Sequence, residues 1–101
     1  MIQHIVMWKK TPDTDSIEYE ALKDEIRTKF NKLTSVIPQL RSISCDVAIT
    51  GSPAGNFDLC LICNFDAFAD LEIYQYHPAH LEIVAIIKSL HLQRACIDFE
   101  Y

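Results

Sequence analysis

The chain has 101 residues, half of them hydrophobic and 23% charged, with a net charge of −5 at neutral pH. This is the composition of one folded domain, not of a disordered chain. The acidic balance, with Lys9-Lys10 as the sole adjacent basic pair, speaks against nucleic acid or an anionic membrane as partner, because phosphate contacts need clustered Lys and Arg. No apolar run reaches the ~20 residues of a membrane-spanning helix, and Met1-Ile2-Gln3-His4-Ile5 shows no basic leader. A cytoplasmic location is expected, with Cys45, Cys60, Cys63 and Cys96 as free thiols.

Residues 2–9 read as the first strand. Ile2, Val6 and Trp8 share one parity and Ile5 and Met7 the other, as in a strand buried on both faces. Thr11-Pro12-Asp13 turns the chain. Asp15 then caps a helix, with Glu18 three residues on as capping-box partner. Tyr19, Leu22, Ile26, Phe30, Leu33 and Ile37 recur at spacings of three and four, predicting one continuous helix that Pro38 ends. Residues 41–49 form a second strand, where Ile43, Cys45, Val47 and Ile49 alternate with more polar neighbours. A loop from Gly51 to Asn56 holds both glycines. Residues 57–65 form a third strand, apolar at nearly every position. Asp66 is the expected cap of a short helix through Tyr76. Pro78 opens another that runs to about Leu90, and residues 91–100 make the last strand.

The order βαββαβ is the ferredoxin-like pattern. The expected fold class is α+β: one domain over residues 1–101 with a four-stranded antiparallel sheet. Helices can cover only one face of that sheet, yet strands one and three are apolar on both. A bare apolar face predicts a homodimer with the two sheets face to face, a dimeric α/β barrel.

Four stretches form a recognisable set. They are the opening His4-Ile5-Val6-Met7-Trp8-Lys9, the helix end Ile37-Pro38, the segment Asp70-Leu71-Glu72-Ile73-Tyr74-Gln75-Tyr76-His77-Pro78-Ala79-His80, and the closing Ile97-Asp98-Phe99-Glu100. Together they resemble the stress-responsive A/B barrel (Dabb) family over essentially the whole chain. The resemblance implies a dimeric α+β barrel. It also implies a chemistry, since a plant polyketide cyclase of that family closes a linear polyketide thioester by intramolecular aldol condensation without metal or organic cofactor. By that likeness Tyr74 and His80 are catalytic, and His4, Val6, Trp8, Phe30 and Leu61 bind substrate. Arg27 and His91 depart from the plant enzyme, which has aromatic residues there, so its particular alkyl pocket is not reproduced.

The residue chemistry agrees with such roles. His80 lies in the first turn of a helix, where the positive end of the dipole disfavours imidazolium and leaves a neutral base. Tyr74 can donate a hydrogen bond to an oxygen that gains charge. His77 and Asp98 support the site from behind, Asp98 by accepting an imidazole N–H. The alternative is that Tyr74, His77 and His80 only fix the junction between two helices. Cys60 and Cys63 are three apart in a strand and point to opposite faces, so they cannot share a metal. His77-x-x-His80 falls short of the four-residue spacing of helical metal ligands, and no metal or cofactor is expected. Partners are then a second copy of the chain and a small apolar, aromatic or polyketide-like ligand. Two competing readings are a non-catalytic stress-response structural dimer and a cofactor-free monooxygenase of the same architecture.

Overall fold

The computed structural model describes all residues from Met1 to Tyr101. The elements are β1 (Ile2–Lys9), α1 (Ser16–Asn31), β2 (Ser42–Val47), β3 (Leu59–Phe65), α2 (Phe68–Tyr76), α3 (Pro78–Ser89) and β4 (Gln93–Glu100). The strands form one antiparallel sheet in the order β2-β3-β1-β4, the ferredoxin-like arrangement expected. No helix is long and apolar enough to cross a membrane.

Period-two alternation sets the two faces. Ile2, His4, Val6 and Trp8 of β1 are buried under the helices, as are Leu59, Leu61, Cys63 and Phe65 of β3. Tyr19, Ile26 and Phe30 of α1, Leu71 and Tyr74 of α2, and Ile83 and Ile87 of α3 close over them. Register across β1 brings distant residues together. His4 lies opposite Cys63 and Asp98, Val6 opposite Leu61 and Cys96, and Trp8 opposite Leu59 and Arg94. The other face holds Ile5 beside Ile62 and Ile97, and Met7 beside Cys60 and Ala95. No helix covers it, and Ile97 and Phe99 remain 58% and 38% exposed.

Two local expectations are revised. The first helix does not run to Pro38. It stops at Asn31, and a 3-10 turn over Leu33–Ser35 follows. The Asn31 side chain leaves the helix to bridge β2, accepting from the Cys45 amide at 3.0 Å and donating to the Cys45 carbonyl at 3.2 Å. The tighter turn keeps Leu33 and Ile37 buried, so the apolar stripe outlasts the α-helix that began it. Asn31→Ala unpairs both Cys45 backbone groups, and a loss of about 1–3 kcal/mol is expected in urea unfolding. A loss below about 0.5 kcal/mol, the level of ordinary surface substitutions, would show that water replaces the bridge.

The second revision concerns Asp66. Ala67, not Asp66, is the N-cap of α2, and it makes no side-chain capping bond. Asp66 Oδ2 instead accepts from Arg41 Nε at 2.9 Å and Nη2 at 2.5 Å, a charge-assisted pair to one guanidinium. Asp15 caps α1 as expected, its carboxylate accepting from the amides of Ile17 and Glu18, but the Glu18 side chain makes no return bond, so the capping box is only half formed.

Candidate functional site

A cavity of about 360 Å³ lies between α3 and the β1–β4 half of the sheet. All five residues expected to bind substrate line it: His4, Val6, Trp8, Phe30 and Leu61. The three β1 residues do so because their common parity faces the helices. Trp8 stacks on Phe30 with ring centroids 5.9 Å apart.

His80 lines the same cavity. Its position follows from the α2–α3 junction. His77 is the N-cap of α3, and its Nδ1 accepts the Ala79 amide at 3.0 Å, with Pro78 in the first turn. His80 Nδ1 lies 2.9 Å from the Gln75 carbonyl oxygen. A carbonyl only accepts, so Nδ1 carries the proton and Nε2 holds the lone pair. Burial lowers the proton affinity of His80; the bond to Gln75 opposes this, while His4, Arg94 and His77 add to the lowering. The ring is a neutral base at neutral pH.

His4 is 3% exposed, and its Nδ1 sits 2.5 Å from Asp98 Oδ1. Asp98 therefore does orient an imidazole, that of His4. The pair arises directly from register, since His4 and Asp98 are opposite one another in the β1–β4 ladder.

Tyr74 lies elsewhere than a substrate-touching donor would. It is fully buried, with its ring centroid 4.5 Å from His80, 5.3 Å from Phe65 and 6.3 Å from His4. It is not among the residues lining the cavity. Its hydroxyl lies 3.7 Å from Cys63 Sγ, and burial pushes the phenol's pKa far up. The structure thus brings His4, His80, Val6, Trp8, Phe30 and Leu61 to one cavity and puts Tyr74 behind His80.

Residues 2–101 match the family profile of the stress responsive A/B barrel domain. The chain belongs to this family. Among solved structures it resembles a dimeric ferredoxin-like protein of unknown function from Bacteroides fragilis (24% identity, TM-score 0.88, covering 99% of this chain and 95% of that one). It also resembles a dimeric ferredoxin-like protein of unknown function from Thermobifida fusca (26% identity, TM-score 0.79, 99% and 90% covered). A hydroxynitrile lyase from Passiflora edulis shares the fold at 16% identity (TM-score 0.74, 97% and 90% covered). No curated protein matches significantly.

This A/B barrel chain also has features its sequence did not reveal. Gln75, Leu81, Val84, Ile87, Lys88 and Arg94 complete the cavity wall. The spacing of 81, 84 and 88 marks one face of α3 and was available to helical periodicity. Arg94 became visible only with the β1–β4 register. Cys96 Sγ lies 3.6 Å from His4 Nδ1, and the donor atoms of His4, Cys96 and Asp98 all fall within 4.8 Å of one another. Two ligands of one tetrahedral zinc sit ~3.3 Å apart. The 2.5 Å between His4 and Asp98 is instead a hydrogen-bond separation, so the trio is an imidazole–carboxylate pair with a thiol beside it.

Cys63 is buried under the helices, its thiol pushed up to about 12 by burial, while Cys60 lies on the open face. Arg27 pairs with Asp46 at 3.6 Å and does not line the cavity. His91 occupies the α3–β4 turn with φ of 56°, its carbonyl accepting from the hydroxyls of Thr11 and Thr14.

Proposed function

We propose that this protein binds a small carbonyl compound and acts on it without a cofactor, His80 abstracting a proton next to the carbonyl. One observation carries the reading: a half-buried, neutral imidazole, its protonated nitrogen tied to a backbone carbonyl, stands on the wall of an apolar cavity. The substrate C–H gives its proton to Nε2, and its electron pair moves onto the carbonyl oxygen as an enolate. His4, oriented by Asp98, stands on the same wall, where it holds the carbonyl end of the substrate. The enolate carbon then attacks a second carbonyl of the same molecule, as an aldol-type cyclisation requires, and His80 returns the proton to the new alkoxide. Tyr74 serves as a positioning residue that packs His80 in place. The junction reading fits His77 and Tyr74, both engaged in local structure; it leaves the exposure of His80 to the cavity unused.

The functional unit is a homodimer joined through the open sheet faces. Apolar side chains on that face and the dimeric state of the Bacteroides and Thermobifida relatives support this.

The test is deuterium exchange. Alkyl and aryl ketones and thioesters are incubated with the protein in deuterated buffer, and loss of the α-proton signal is followed by NMR. The wild type accelerates exchange for the compounds that fit, and His80→Gln loses about 10²–10³-fold of that rate. Because burial holds His80 below its ordinary 6.5, the rate stays level as pH falls to that value and declines only below it. Compounds that bind the cavity yet show no accelerated exchange anywhere in the series would leave the non-catalytic dimer as the better account.

A further inference from the structure

We infer that the cavity takes an elongated amphipathic acid, with its anionic group against Lys88 and Arg94 and its reacting carbonyl against His4 and His80. The inference rests on the proposed role of that cavity and adds the substrate class. Its basis is the alignment of the two walls. The chain turns from α3 into β4 within three residues, and β4 pairs antiparallel with β1, so α3 and β1 run in the same direction. From His4 to Trp8 is four strand residues, about 13 Å. From His80 to Lys88 is eight helical residues, about 12 Å. The walls therefore share one polarity and nearly one length.

At one end the rings of His4 and His80 flank Tyr74. At the other, Arg94 lies opposite Trp8 in the ladder and Lys88 closes the helix. The surface between is apolar, made by Val6 and Leu61 among others.

Charge decides what belongs at the second end. The chain carries a net −5, and Lys23, Arg27, Lys29 and Arg41 each have a carboxylate partner. Lys88 and Arg94 have none, in common with Lys9, Lys10 and Lys32, and of these five they alone line the cavity. Of the two acids on the same side of β4, Asp98 is four residues away and bound to His4, and Glu100 lies at the far end opposite Ile2. Two uncompensated cations at the end of an apolar channel suit a carboxylate or another single anionic group, and they repel an amine.

Trp8 reports on occupancy, being the only tryptophan of the chain and part of the cavity wall. Its fluorescence is titrated with octanoate, 1-octanol and octylamine, which share a chain and differ in charge. Octanoate binds tightest and octylamine weakest. In the double variant Lys88→Gln/Arg94→Gln, octanoate loses about fivefold in affinity, the worth of two solvent-facing ion pairs, and octanol does not change. Raising NaCl to half-molar has the same selective effect. Both side chains are exposed, so the melting temperature of the double variant should match the wild type and certify its fold. Octanol binding as tightly as octanoate, or an octanoate preference that survives the double substitution, would overturn the acid assignment and leave the cavity reading intact. No change in Trp8 emission with any of the three would overturn both.

Discussion

Tyr74→Ala is expected to lower the stability of the fold by about 3–5 kcal/mol, the range for truncating a large buried aromatic ring, while Tyr74→Phe stays within about 1 kcal/mol. The ring has no exposed surface and fills the space between Phe65, His80 and His4. Its hydroxyl meets only the thiol of Cys63, a weak donor, so its removal forfeits little. Urea unfolding gives both values. The same pair of variants separates two roles for Tyr74. As a positioning residue it acts through its ring, so Tyr74→Phe keeps most of the α-proton exchange rate. A phenol that donated to the substrate oxygen would make Tyr74→Phe as damaging as His80→Gln. A second readout follows His80 itself. Tyr74→Leu loosens the packing over the imidazole, and the NMR titration of His80 moves up toward its ordinary value of 6.5, because burial is the largest cause of its lowering. The sign for stability follows. The folded protein takes up the His80 proton less readily than the unfolded chain, so this group erodes stability as pH falls below about 6.5.

Local chemistry carried the element order, and register carried the site. The apolar alternation of β1 and β3, the Asp15 cap and Pro78 are each decided within a few residues, so the chain announces them. The helix-facing residues of β1 follow from the same alternation, which is why His4, Val6 and Trp8 could be named together. What could not be read was anything set by competition between distant partners. Arg41 draws Asp66 away from the α2 cap, and Cys45 engages the Asn31 side chain where α1 ends. Asp98 was legible as an acid able to hold an imidazole, but its choice of His4 over His80 depends on pairing between strands 94 residues apart. The family likeness suggested Tyr74 and His80 as a functional pair; packing made them neighbours with only His80 facing the cavity. Lys88 and Arg94 went unnoticed because a single cation on a helix or strand is ordinary, and their meaning lies in sharing one end of a cavity with no acid between them.

Ile97→Asp is expected to convert the dimer to a monomer at micromolar concentration, read by sedimentation velocity. Ile97 stands on the open face beside Ile5, which in turn lies against Ile62, and these form the middle of the apolar patch. Under two-fold symmetry the substitution enters twice, placing two carboxylates in a dry interface without partners, at several kcal/mol each. Ile17→Asp is the control: Ile17 is 85% exposed on α1, away from the sheet, and its variant stays dimeric. A wild-type monomer, or an Ile97→Asp dimer, would defeat the face-to-face arrangement. The consequence reaches the cavity, because β4 is an edge strand serving both faces. Ile97 and Phe99 lie on the open face proposed as the dimer interface, while Arg94 and Asp98 point to the helix side that holds the cavity. In the monomer that edge is supported by β1 alone, so Ile97→Asp should weaken octanoate binding as well as association, whereas Ile17→Asp should change neither.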